Sequence, residues 1–165
     1  MLLERKLLTI IFSLSVGSLL AALLAQHVFD MYPCAWCVLQ RLILVAIAGM
    51  ALLGIIVFKV RWFFRLAFLL TMLASAAGAW AAWHQMTVAA KLFSCDQTLA
   101  DRLISSSGLD ASLPWLFGIY ANCMDASISI LGLDFAGWAL ILFAVLLLAA
   151  LVGVWSSYRS PQIRG

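Results

Sequence analysis

Pro33-Cys34-Ala35-Trp36-Cys37-Val38-Leu39-Gln40-Arg41 runs directly into Leu42-Ile43-Leu44-Val45-Ala46-Ile47-Ala48-Gly49-Met50-Ala51-Leu52-Leu53-Gly54-Ile55-Ile56-Val57-Phe58. The second part carries no polar residue. It reaches the roughly 17–25 apolar residues that a helix needs to cross a bilayer. A strand with open edges cannot satisfy its backbone in lipid, so the run reads as a helix. Three further stretches qualify on the same grounds: Leu7–Ala25, Leu66–Trp83 and Phe135–Trp155. The expected fold is all-α: an integral membrane four-helix bundle, with residues 1–165 as one membrane domain. A long loop, about residues 84–134, joins the third and fourth spans.

Composition agrees. The chain is 66% hydrophobic and 10% charged, with a mean hydropathy of +1.11. Soluble domains hold about 45–50% apolar and about 25% charged residues. A soluble enzyme is excluded, because a globule of this size cannot hide so much apolar surface. A nucleic-acid-binding module is excluded as well, since the basic residues are scattered at the ends of apolar runs.

Those basic residues set the orientation. Arg5, Lys6, Lys59, Arg61, Arg65, Arg159 and Arg164 fall on one side of a four-span chain, which the positive-inside rule makes cytoplasmic, with both termini. Asp30, Asp96, Asp101, Asp110, Asp125 and Asp134 fall on the other. Trp36, Trp83 and Trp138 are expected in an outer aromatic belt, and Trp62 and Trp155 in an inner one. The first span has a basic start like a signal peptide. Leu23-Leu24-Ala25-Gln26 offers no A-x-A cleavage site, so the span is expected to stay. Ser13, Gly17, Ala21 and Ala25 recur at helical spacing in span one, as do Ala74, Gly78 and Ala82 in span three. Small residues of this kind let helices approach closely in lipid.

All four cysteines, Cys34, Cys37, Cys95 and Cys123, lie on the outer, oxidising side, where disulfides persist. An even number there suggests two disulfides. A bridge closing so small a loop as Cys34–Cys37 adds little chain-entropy stabilisation. Close cysteine pairs are more typical of redox sites. Structural staples remain an alternative, above all for the loop cysteines. So does a metal site, although structural zinc sites usually show two close pairs and none is expected here.

Arg41 lies one helical turn beyond Cys37 on the same face. An arginine inside a span is costly and marks a functional site by default. The cation and the helix N-terminus would both favour a Cys37 thiolate. The competing reading is an arginine that snorkels to the headgroups. His84, at the outer end of span three, reads in isolation as an interfacial histidine with a wet tip. In the loop, Ser94 with Gln97 fits a capping box that would put Cys95 at a helix start. Leu113–Ala121 is too short to span and too apolar for open water, so it is expected on the membrane surface.

Tyr32-Pro33-Cys34-Ala35-Trp36-Cys37-Val38-Leu39-Gln40-Arg41 resembles the signature of the disulfide bond formation protein B (DsbB) family, a CxxC followed by arginine four residues on. The order of parts also matches: span, CxxC, two spans, a two-cysteine loop, a last span. Leu131-Gly132-Leu133 before Trp138 resembles the family's re-entry into the fourth helix. The vitamin K epoxide reductase group places its cysteine loop ahead of the CxxC, the opposite order. The DsbB resemblance implies a quinone-dependent oxidoreductase of the bacterial inner membrane that reoxidises a periplasmic, DsbA-like thiol oxidase. It implies that Cys95–Cys123 accepts electrons from that partner and that Cys34–Cys37 reoxidises the loop pair. Cys37 would then pass electrons to a ubiquinone or menaquinone, with Arg41 beside the quinone oxygen and His84 near it. The alternative is a non-catalytic membrane protein whose cysteines are structural or bind metal.

Overall fold

The computed structural model describes residues 2–57, 61–89, 98–124, 129–130 and 132–159, and every structural statement below concerns these. Four long helices make an all-α membrane bundle: α1 (Leu2–Val28), α2 (Ala35–Ile56), α3 (Arg61–Thr87) and α7 (Phe135–Arg159). Each is long and apolar enough to cross a membrane. All four outrun the purely apolar stretches in the sequence. Helical hydrogen bonds continue past the apolar run, and on α2 the added turns carry Gln40 and Arg41, both buried against neighbouring elements. The helix α2 begins at Ala35, with Cys34 as its extended N-cap, so Gln40 and Arg41 lie inside it.

Leu8 and Ile11 from α1, Leu44 and Ile47 from α2, Phe64 and Phe68 from α3, and Phe143 and Leu146 from α7 form one buried core. The most extensive interface joins α3 and α7. Two glycines explain it. The Phe143 ring of α7 lies on Gly78 of α3, and the Phe68 ring of α3 lies on Gly153 of α7. A Cβ at either glycine would overlap the ring. The small-residue face of α3 therefore serves as expected.

The corresponding face of α1 does not. Ser13, Gly17 and Ala21 are exposed, and a Cβ added to Gly17 would meet nothing within 4 Å. The buried face of α1 is instead Leu8, Ile11, Ser15, Ala22 and Gln26. Larger side chains that fill space against α2 decide which side turns inward.

At the cysteine end, three short helices cap the bundle: α4 (Leu99–Ser107), α5 (Leu109–Ser112) and α6 (Pro114–Phe117). A reciprocal capping box between Thr98 and Asp101 starts α4, and Gly108 ends it in the left-handed region at φ 67°. Ala100 and Ile104 of α4 are buried, Ile104 against Val38 and Phe117. A two-residue strand pair, β1 (Ser129–Ile130) and β2 (Leu133–Asp134), leads into α7. The stretch 113–121 divides. Trp115 and Tyr120 are exposed, while Phe117 turns inward onto α2. Trp83, Trp138, Trp62 and Trp155 are exposed. Trp36, expected in the belt, is 2% exposed, because it packs on Trp80 and His84 of α3 and shares a buried cluster with Ala100 of α4.

Candidate active site

The CxxC stands where α2 emerges beneath the cap. Cys34 Sγ and Cys37 Sγ are 3.4 Å apart. Cys123 comes from the far end of the loop. Its sulfur lies 2.7 Å from Cys34 Sγ. What holds it there is backbone: the N–H groups of Tyr120 and Ala121 donate to the Pro33 carbonyl at 3.1 and 3.3 Å. Pro33 supplies no N–H of its own, but its carbonyl anchors the loop beside the CxxC. The three sulfurs are contiguous in the order Cys123, Cys34, Cys37. Cys95, with Ser94 and Gln97 of the expected capping box, lies outside the described residues.

Cys34 is buried and Cys37 half-buried. The Cys34 thiol is pushed up to about 12, first by its hydrogen bond with Cys123 and then by burial, while its contact with Cys37 pulls the other way. At neutral pH the reduced Cys34 therefore keeps its proton.

Arg41 is 6% exposed and reaches inward. Its guanidinium donates to Gln26 Oε1 at 2.5 Å and to the Ala22 carbonyl at 3.3 Å, both on α1, and to the Leu116 carbonyl of α6 at 3.1 Å. These bonds fix the planar fork between a bundle helix and the cap, which is the opposite of a side chain stretched toward headgroups.

Arg41 and Cys37 line one cleft of about 400 Å³ between α1, α2 and α7. Its walls are apolar: Leu14, Ala21, Leu44, Phe135, Ile141, Leu142 and Val145. Gln40 and Ser18 are among its few polar residues. A flat apolar ring with polar oxygens fits this lining, since most of the wall is apolar and the Arg41 guanidinium can donate N–H groups to an oxygen.

His84 lies elsewhere. Its ring stacks on Trp36 at 4.5 Å and faces Trp80 at 5.4 Å, and it does not line the cleft. The neighbouring Gln85 is the residue that the sequence reading missed. It is 4% exposed and its amide reaches both CxxC sulfurs. A polar residue at the end of an apolar run was the available signal.

The family model for disulfide bond formation protein DsbB matches residues 4–153. A "Disulfide bond formation protein B" of Burkholderia ambifaria is 31% identical over 159 residues, covering 94% of this chain and 92% of that protein. One from Herminiimonas arsenicoxydans is 34% identical over 143 residues, covering 84% and 89%. One from Saccharophagus degradans is 30% identical, covering 94% and 93%. With a CxxC-arginine helix, a loop cysteine on the CxxC and a match along nearly its whole length, the chain belongs to the DsbB family.

Proposed function

We propose that this chain oxidises a DsbA-like periplasmic dithiol by moving its electrons through the contiguous sulfurs to a quinone held in the Arg41 cleft. Disulfide-generating, quinone-dependent oxidoreduction is the activity of its family. The observation that carries the residue-level reading is the 2.7 Å approach of Cys123 to Cys34, with Cys37 beyond it on the cleft wall.

The steps balance. A partner thiolate attacks Cys95 of a Cys95–Cys123 disulfide. A mixed disulfide forms, and the bonding pair leaves on Cys123. The Cys123 thiolate attacks Cys34. The Cys34–Cys37 bond breaks, a Cys34–Cys123 bond forms, and the pair moves to Cys37, facing the cleft. Exchange of this kind requires a thiolate and an accessible sulfur in line. The bound quinone supplies the capacity to accept two electrons and two protons. Arg41 would hold the oxygen that gains charge, and the apolar walls would strengthen that interaction by limiting screening. The second partner thiolate resolves the mixed disulfide and closes the partner's own disulfide, freeing Cys95 to displace Cys34 from Cys123. That restores Cys95–Cys123, and Cys34 and Cys37 re-form their disulfide as two electrons and two protons leave for the quinone.

The Lys/Arg bias supports cytoplasmic termini and an outer, periplasmic cysteine end of the bacterial inner membrane. The family match does not favour a non-catalytic protein with structural disulfides or a metal site. The test is oxidation of a reduced DsbA-like protein by purified chain with ubiquinone or menaquinone as acceptor. A partner lacking its resolving cysteine should be trapped on Cys95, so that the adduct survives Cys123→Ser and disappears with Cys95→Ser. Absence of quinone-dependent oxidation with either quinone overturns the reading. Impermeant thiol reagents reacting only from the cytoplasmic side would overturn the orientation.

A further inference from the structure

Two buried glutamines form a chain that ends on sulfur. Gln40, on α2, donates from Nε2 to Gln85 Oε1 on α3 at 2.8 Å. Gln85 Nε2 in turn donates to Cys37 Sγ at 3.2 Å and, more distantly, to Cys34 Sγ at 3.7 Å. Both side chains are buried, at 5% and 4% exposure. An apolar side chain at either place would avoid the desolvation of an amide.

The direction of the chain matters. An amide presents either NH2 or carbonyl to a neighbour. A carbonyl can accept only from a protonated thiol, whereas NH2 can donate to a thiolate. While Gln40 donates to its oxygen, Gln85 must turn its NH2 toward the sulfurs. Of the two, the nearer is Cys37, the one on the cleft wall.

We propose that Gln85 is the donor that holds the Cys37 thiolate during turnover, and that Gln40 is a positioning residue that sets the Gln85 amide. The proposal rests on the reading that Cys37 is the sulfur facing the quinone. In the step concerned, Cys123 bonds to Cys34, the Cys34–Cys37 bond breaks, and the electron pair comes to rest on Cys37. No proton is transferred, so a negative charge moves from Cys123 to Cys37. A hydrogen bond to the charged product favours this direction and slows the return of Cys37 onto Cys34. Gln40 also lines the cleft, so one amide chain links the electron-donating sulfur to the quinone wall.

Gln85→Met and Gln40→Met test this, because methionine keeps a long unbranched shape and lacks the amide. In fully reduced protein without quinone, iodoacetamide labelling of Cys37 should slow about threefold to tenfold in Gln85→Met, with labelling of Cys34 changing less. The kcat for quinone reduction should fall with it, at unchanged quinone KM. Gln40→Met should fall between wild type and Gln85→Met, because it leaves the donor and loosens its orientation. A packing role predicts near-normal values for both variants. Wild-type Cys37 labelling and kcat in folded Gln85→Met would overturn the proposal. If wild-type protein reduces no quinone while the labelling order holds, the quinone reading fails and the Gln85 donor stands.

Discussion

Cys123 Sγ lies 2.7 Å from Cys34 Sγ although 89 residues separate them, closer than Cys34 is to Cys37 in its own motif. The loop cysteine and the helix cysteine thus stand in direct sulfur–sulfur contact. The first prediction follows. In Cys37→Ser, where Cys34 has lost its local partner, a Cys34–Cys123 disulfide should accumulate on mild oxidation. Peptide mapping under non-reducing conditions reads it. Exclusive pairing of Cys95 with Cys123 in that variant would contradict the geometry.

The pH dependence of Cys34 is the second. Its thiol is pushed from an ordinary value of 9.0 to about 12, first by the Cys123 hydrogen bond. A folded value raised above the unfolded one means that the fold favours the protonated thiol. That contribution is complete below pH 9 and is lost as pH rises from about 9 to about 12. Alkylation of Cys34 in fully reduced protein should stay slow through pH 9–11, then rise. Cys123→Ser removes the leading cause and should move the rise to lower pH. The position of the rise, not the absolute rate, is the observable, since burial slows access at every pH.

Arg41 supplies the third. Arg41→Leu should raise the quinone KM and slow quinone reduction, while Cys95–Cys123 still accepts electrons from the partner. Arg41→Lys should fall between, keeping charge but losing the fork that joins Gln26, Ala22 and Leu116. Steady-state kinetics on folded, inserted variants decide it. Unchanged KM and rate in Arg41→Leu would remove Arg41 from the quinone site.

Packing gives the fourth. Gly78→Leu and Gly153→Leu each force a side chain into a phenylalanine ring. Overpacking of this kind costs about 1–3 kcal/mol. Either variant should melt at lower temperature in detergent. Gly17→Leu, in open space on α1, should melt as wild type does.

The spans were legible because lipid imposes a run of apolar residues that needs no partner to be recognised. Cys34, Cys37 and Arg41 were legible because they lie within one short segment, where spacing alone gives the shared face. The approach of Cys123 to Cys34 depends on Pro33 accepting two loop N–H groups, and the reach of Gln85 to Cys37 depends on how α3 packs on α2. Neither is encoded in local spacing. His84, expected near the quinone from its depth in the span and from the family resemblance, stacks on Trp36, whereas the adjacent Gln85 carries the contact with sulfur. The α1 stripe misled for a related reason: small residues permit close approach, but neighbouring bulk decides whether it happens.

The two Phe-on-Gly contacts tie α7 tightly to α3, while α1 meets α7 only sparsely. The seam between α1 and α7 is where the Arg41 cleft lies. Leu14, Ile141 and Val145 line it and are exposed, so the cleft is flanked by the apolar outer faces that meet acyl chains once the bundle spans a bilayer. A long-tailed ligand can exchange from within the leaflet, head first toward Arg41, with its tail remaining among the lipids. Aqueous concentration is then the wrong measure of supply, and occupancy follows the mole fraction of ligand in the bilayer. Acyl chains and detergent tails are natural competitors at that doorway.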